Sequence, residues 1–173
     1  MRHKDYITYF RSIATAHLEV QHFSRMIPVD WPLRNVKLEQ FISDERANMV
    51  FPTMLLETFI AKTRDFKGDQ QDRHFDGAFL IIEKAARGDF DNEDQKIDDC
   101  ERIADEIMGY IRHEMHQSVN EYSPTTGRRY FDVNSVTMEK VGVIARDLVG
   151  VRYNMTFKKS ITWEYDETKF NWT

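Results

Sequence analysis

Cysteine occurs once in this 173-residue chain, at Cys100. No disulfide can form within the chain, and a zinc site built from two or four of its own cysteines is excluded. A lone thiol fits a reducing compartment. Proline and glycine are scarce, at four and seven residues; no internal repeat recurs and no segment is of low complexity. The longest apolar runs, such as "GAFLII" (77–82), fall far short of the ~20 residues that a membrane-spanning helix needs. The start "MRHKDYITYFRSIATAHLEVQHF" carries charges and histidines inside its apolar pattern, so it reads as a helix and not as a signal peptide. Concentrated positive charge is missing as well. "GRR" (127–129) and "FKKS" (157–160) are the densest basic stretches, too short for the patch that sequence-specific nucleic-acid binding needs.

Charge of the other sign is present and uneven. The net charge is −5. Residues 1–60 balance, with seven basic and seven acidic side chains, and residues 111–173 carry nine and eight. The excess lies in residues 61–110, with eight basic against fourteen acidic. With 41% hydrophobic residues and a mean hydropathy of −0.60, the chain has material for one core and a water-compatible surface. We expect a single domain over 1–173, with an N-terminal helical part (1–30) and an aromatic C-terminal tail (162–173).

Periodicity supplies the elements. Tyr6, Phe10, Ile13, His17, Val20 and Phe23 recur at helical steps and predict a helix over 4–23. Two prolines in "MIPVDWP" (26–32) end it, and 33–46 fits a short second helix. "MVFPTMLLETFIAK" (49–62) and "FDGAFLIIEKA" (75–85) predict two strands of a long antiparallel hairpin, the second apolar on both faces and central. Asn92 with Gln95 has capping-box spacing, opening a helix that runs to about 117. Strands follow at 129–141 and 147–161. In the last, Val149, Val151, Tyr153, Met155 and Phe157 alternate with Gly150, Arg152, Asn154, Thr156 and Lys158, which predicts one buried and one wet face. The order describes an α+β domain: an antiparallel sheet of about four strands, one long helix packed on one face, and the N-terminal helix.

Chemistry-bearing motifs are few. "RHEMHQ" (112–117) places His113 and His116 three apart around Glu114, one short of the H-E-x-x-H spacing of zincins. On a helical wheel the apolar stripe Ile97, Cys100, Ile103, Ala104, Ile107, Met108, Ile111 and Met115 centres near ~310°, with His113 near ~160° and His116 near ~100°. Both histidines point away from the core, so we assign neither a metal nor a catalytic role. Cys100 lies on the stripe and reads as a core residue. "DNEDQKIDDCERIADE" (91–106) lacks the central glycine of a calcium loop. No G-x-S-x-G elbow and no phosphate-binding glycine loop occurs. We expect no enzyme and no cofactor. A metal-dependent enzyme using His113, Glu114 and His116 remains the contrasting case, with stoichiometric metal as its signature.

Three segments carry a resemblance. They are "NMVFPTMLLETF" (48–59), "FDGAFLIIEKAARGDFDNEDQKIDDCERIADEIMGYIRHE" (75–114) and "DLVGVRYNMTFKKSITWEYD" (147–166). In this order they resemble the small tail-completion or tail-terminator (neck) proteins of tailed bacteriophages and prophages, over most of residues 33–166. The resemblance rests on the order of elements and includes no diagnostic motif. It implies a structural virion protein, assembled in the host bacterial cytoplasm. Such a protein forms a homohexameric ring that ends the tail tube and joins it to head-completion proteins. On that basis Phe51, Leu55, Phe59, Val151, Tyr153, Phe157, Trp163 and Trp172 are candidate subunit-interface residues. Asp89, Asp91, Asp94, Asp98 and Asp99 are candidate linings of a channel in which DNA slides without sticking. The alternative is a cytoplasmic adaptor or assembly protein of a contractile injection system or mobile element, also without catalysis.

Overall fold

The computed structural model describes residues 2–26, 34–65, 71–119, 129–144, 147–161 and Lys169. Helix α1 (His3–Ala16) buries Tyr6, Phe10, Ile13 and Ala14, the i, i+4, i+7, i+8 face that the apolar spacing requires. The Arg2 backbone N–H donates to the Asp5 carboxylate, satisfying one donor at the helix start. The helix stops well short of residue 23. His17 is extended (ψ 128°), the Gln21 N–H donates to the Pro52 carbonyl, and His22–Met26 forms strand β1. Val20 still reaches the same apolar cluster as α1, and Phe23 packs against its rim. Burial on that face therefore satisfies a helical pattern even where the backbone is a strand.

Next come α2 (Arg34–Glu45), a 3₁₀ turn (Arg46–Asn48), β2 (Thr53–Glu57), β3 (Ile60–Asp65), β4 (Gln71–Lys84), α3 (Phe90–Val119), β5 (Arg129–Ile144) and β6 (Leu148–Ile161). The expected antiparallel sheet of about four strands is wrong. The described residues form a six-stranded mixed sheet in the order β1-β2-β4-β6-β5, with β3 also on β4. Two events account for the difference. β1 joins β2 in parallel, from His22↔Thr53 to Met26↔Glu57. The stretch read as one strand over 49–62 breaks at Thr58 and Phe59, so β2 and β3 pair one after the other along the same edge of β4. β4 and β6 form the spine, antiparallel and in unbroken register from Gln71↔Ile161 to Lys84↔Leu148.

Helices cover both faces, which corrects the expectation of one. Toward α1 and α3 the sheet presents Met54, Leu56, Phe75, Phe79, Ile81, Val151, Tyr153, Met155 and Phe157. These pack with Phe10, Ile103, Ile107 and Ile111. Toward α2 it presents Leu55, Leu80, Ile82 and Leu148, which pack with Leu38 and Ile42. Two glycines are forced by close approach. A Cβ on Gly77 would lie 2.4 Å from the Tyr6 hydroxyl, and one on Gly150 would lie 2.0 Å from the Ile81 carbonyl oxygen. The second contact is with backbone, so the β4–β6 ladder itself would have to part.

Candidate functional site

The α2 helix covers only one end of its sheet face. Beyond it, Arg152 lies on the row of β6 that the alternation marked as wet. It is only 6% exposed, and its partner Glu57 only 4%. Its Nε donates to Glu57 Oε1 (2.9 Å) and its Nη2 to Oε2 (2.8 Å), a bidentate clamp between strands that flank β4. Nη1 donates to Asn154, which in turn donates to Thr137 Oγ1 (3.0 Å) and Glu139 Oε1 (2.9 Å) on β5. This network floors a cleft of about 350 Å³, whose walls include Leu38, Glu39, Glu139, Val141 and Ile144. Guanidinium keeps its proton throughout the usable pH range, and the carboxylate of Glu57 is committed to it. The cleft holds this ion pair, and Glu39, Glu139 and Lys140 also line it.

The remainder of this face is polar. Asp76 accepts from Lys62 Nζ (2.9 Å) and Thr156 Oγ1 (2.8 Å). Burial opposes ionisation of Asp76, but those hydrogen bonds outweigh it and hold its carboxyl below the usual aspartate range. The Lys158 ammonium, 2.5 Å from Asp132, does the same there. His74 lies on this face too, and its Nε2 is buried without a hydrogen-bond partner among the described residues. Burial, helped by Lys158 and Arg64, holds its pKa below the ordinary histidine value.

The two sides of the sheet are open. β5 pairs only with β6, and β3 only with β4, among the described residues. Every residue of 60–64 and of 137–140 is exposed, whereas the rest of β5 packs through Phe131 and Val136 on one cluster and Val141 and Ile144 on the other. Ile60, Val133, Met138 and Val143 leave large apolar side chains in solvent there.

Four of the candidate interface residues lie inside the chain's own core. Leu55, Val151, Tyr153 and Phe157 are buried, and Tyr153 donates to Asp105 on α3 (2.5 Å). They hold the subunit together and have no surface to offer a neighbour. Phe51 and Phe59 are half-buried against the two clusters. Trp163 and Trp172 lie outside the described residues. Of the candidate channel acids, Asp89, Asp91, Asp94 and Asp98 are exposed and Asp99 is half-buried. Asp89 is the N-cap of α3, accepting from the Asn92 N–H (3.1 Å). The helix thus starts three residues before the expected cap at Asn92: Asn92 accepts from the Ala86 N–H, and Gln95 donates to Asp99.

His113 is exposed, Glu114 half-buried, and the His116 side chain lies outside the described residues. Among the described residues no three histidine, cysteine or carboxylate side chains gather as a metal site. Cys100 is buried in the α3 stripe, and burial with Glu83 nearby pushes its thiol up to about 12, which keeps it protonated and unreactive. No helix among the described residues is long and apolar enough to cross a membrane.

No family model matches the chain, and no curated protein matches it.

Proposed function

We propose that the protein is a non-catalytic structural component that assembles with copies of itself, of the tail-completion type, ending a phage tail tube and joining it to the head. The observation that carries this reading is the pair of edge strands, β3 and β5, whose outer edges are unpaired among the described residues. An exposed strand edge presents unpaired N–H and C=O groups that template pairing with another chain, and natural sheets that remain alone usually cover or shorten such edges. Here the β5 edge has a regular stretch from Thr137 to Val141, and Met138 and Val143 add apolar surface to it. In the cleft, Arg152 and Glu57 act as a clamp between strands. In a ring, the exposed Asp91, Asp94 and Asp98 at the start of α3 would repel DNA phosphates from the channel wall.

Solution mass of the untagged protein, with negative-stain images of the same peak, tests the proposal. A closed ring of about six copies is expected, since a head-to-tail interface that closes gives a ring. A monomer at every concentration that added tail tubes also fail to capture at one end would overturn it. Infectivity unchanged after joint Asp91→Asn, Asp94→Asn and Asp98→Asn substitution would remove the channel role alone.

A further inference from the structure

We infer that β3 of one copy pairs with β5 of the next, antiparallel, with Lys62 opposite Glu139 and Ile60 opposite Val141. This rests on the assembly reading above and names its partner as a second copy of this chain.

Strand direction allows it. β3 is antiparallel to β4, β4 to β6, and β6 to β5, so β3 and β5 run in opposite directions on opposite sides of the sheet. Placing β3 of a neighbour beyond β5 continues the antiparallel alternation without turning the sheet over. The contact uses two different surfaces, so each copy can give one and receive one.

Register follows from where β5 is regular. Its ladder with β6 shifts between Asp132 and Thr137 and again between Val141 and Ile144, leaving Thr137–Val141 as an even stretch against Asn154–Gly150. Bulges on both sides limit the straight edge to those five residues, and the exposed run on β3, 60–64, has the same length. Side-chain parity then selects the pairing. Ile60, Lys62 and Arg64 share the sheet face of their partners Asp76, His74 and Asp72 on β4. Val141, Glu139 and Thr137 share the same face, through Gly150, Arg152 and Asn154 on β6. In antiparallel register these meet as Ile60–Val141, Lys62–Glu139 and Arg64–Thr137, and on the other face Thr63 meets Met138. An apolar pair, a charge pair and a contact to an exposed methionine fall together in one register.

The charged groups have room to take part. Lys62 is 62% exposed although it touches Asp76, and Glu139 is 61% exposed although it touches Arg152. Arg64 sits one diagonal step from Glu139 and adds to the attraction. β1, on the same side of the sheet as β3, lacks this fit. Its first three residues are half-buried, and its basic Arg25 sits opposite Leu56, on the face away from Glu139.

The experiment uses the full untagged chain. Like charges facing each other across an interface are strongly unfavourable, so Glu139→Lys weakens self-association by about ten-fold or more, and Lys62→Glu does the same. Because Lys62→Glu also removes the contact with Asp76, the decisive sample is the double variant Lys62→Glu/Glu139→Lys, in which association returns. In parallel, a Thr63→Cys/Met138→Cys double variant is oxidised. Directly opposed residues lie within disulfide reach, so it yields a ladder of covalent multimers, while either single variant yields none; Cys100 is buried and stays out of the reaction. Oligomers that form with neither charge sensitivity nor a ladder overturn this pairing and leave the assembly reading standing. Covalent dimers from Met138→Cys alone mean that two β5 edges pair with each other, which also overturns it. A monomer throughout that added tail tubes also fail to capture overturns both readings.

Discussion

The two faces of one sheet are held by different physics. Toward α1 and α3 the contact is aromatic and continuous: Phe79 stacks on Tyr153 at 5.8 Å and meets Phe10 at 6.0 Å, and Phe10 in turn meets Phe157. Toward α2 a smaller aliphatic patch gives way to a buried ion pair and then to open polar rows. The first face draws its stability from apolar area removed from water, which is insensitive to direction and pH. The second depends on particular partners and on their protonation. The aromatic face therefore carries the larger share of the stability of the fold, and the thinly covered face the larger share of its polar contacts.

The largest test breaks the aromatic face. Phe79→Ala should cost about 3–5 kcal/mol in urea unfolding, because the site is wholly buried among other rings and cannot collapse easily. On the other face, Arg152→Met should cost about 3–5 kcal/mol by removing the bidentate guanidinium partner of the buried Glu57 carboxylate. Adding Glu57→Leu should then recover most of that loss. A double variant as weak as the single would show that the pair contributes more than its own balance, and the contrast drawn here would need revising.

Acid sharpens the comparison. Asp132 and Asp76 have depressed pKa values in the folded chain, so the unfolded chain binds protons first as pH falls. Their contribution is present above the ordinary aspartate value and is lost as pH falls through the depressed values. His74 is depressed as well, so its contribution starts to be lost below about pH 6.5. Hydrogen exchange measured between pH 7 and 2 should therefore show protection falling on Lys62, Arg64 and Lys158 backbone positions before α1. Asp132→Asn should flatten the lower part of the stability profile, and His74→Gln the upper part. The smallest effect belongs to the surface of α3. Asp91→Asn and Asp94→Asn should each change stability by less than about 0.5 kcal/mol, since both are exposed and neither caps the helix.

The aromatic face was largely legible in the chain. The period-two run from Val149 to Phe157 and the helical stripe from Ile97 to Met115 each name residues that meet there. The α2 face was not. Arg152 sits at an alternate position that in an antiparallel sheet usually meets water, and Glu57 ends an apolar strand. Neither carries a local signal of the other, because they are joined only when β2 and β6 flank β4. The break at Thr58 and Phe59 was hidden for a related reason: both halves pair with the same partner strand, so the hydrophobic pattern has no cause to change. The end of α1 was hidden because β1 buries residues on the same side as the helix would.

By itself the sequence determined that there are a long central strand, a terminal strand with one apolar face and an acidic-fronted amphipathic helix, because side-chain periodicity is a local property of the backbone geometry that buries it. Only the tertiary structure decided that β1 enters parallel, that α2 takes the opposite face, that Glu57 and Arg152 become partners, and that β3 and β5 have unpaired outer edges among the described residues. Those outcomes depend on which distant segments share a strand edge, and backbone hydrogen bonds that join them carry no mark of the residue types on either side.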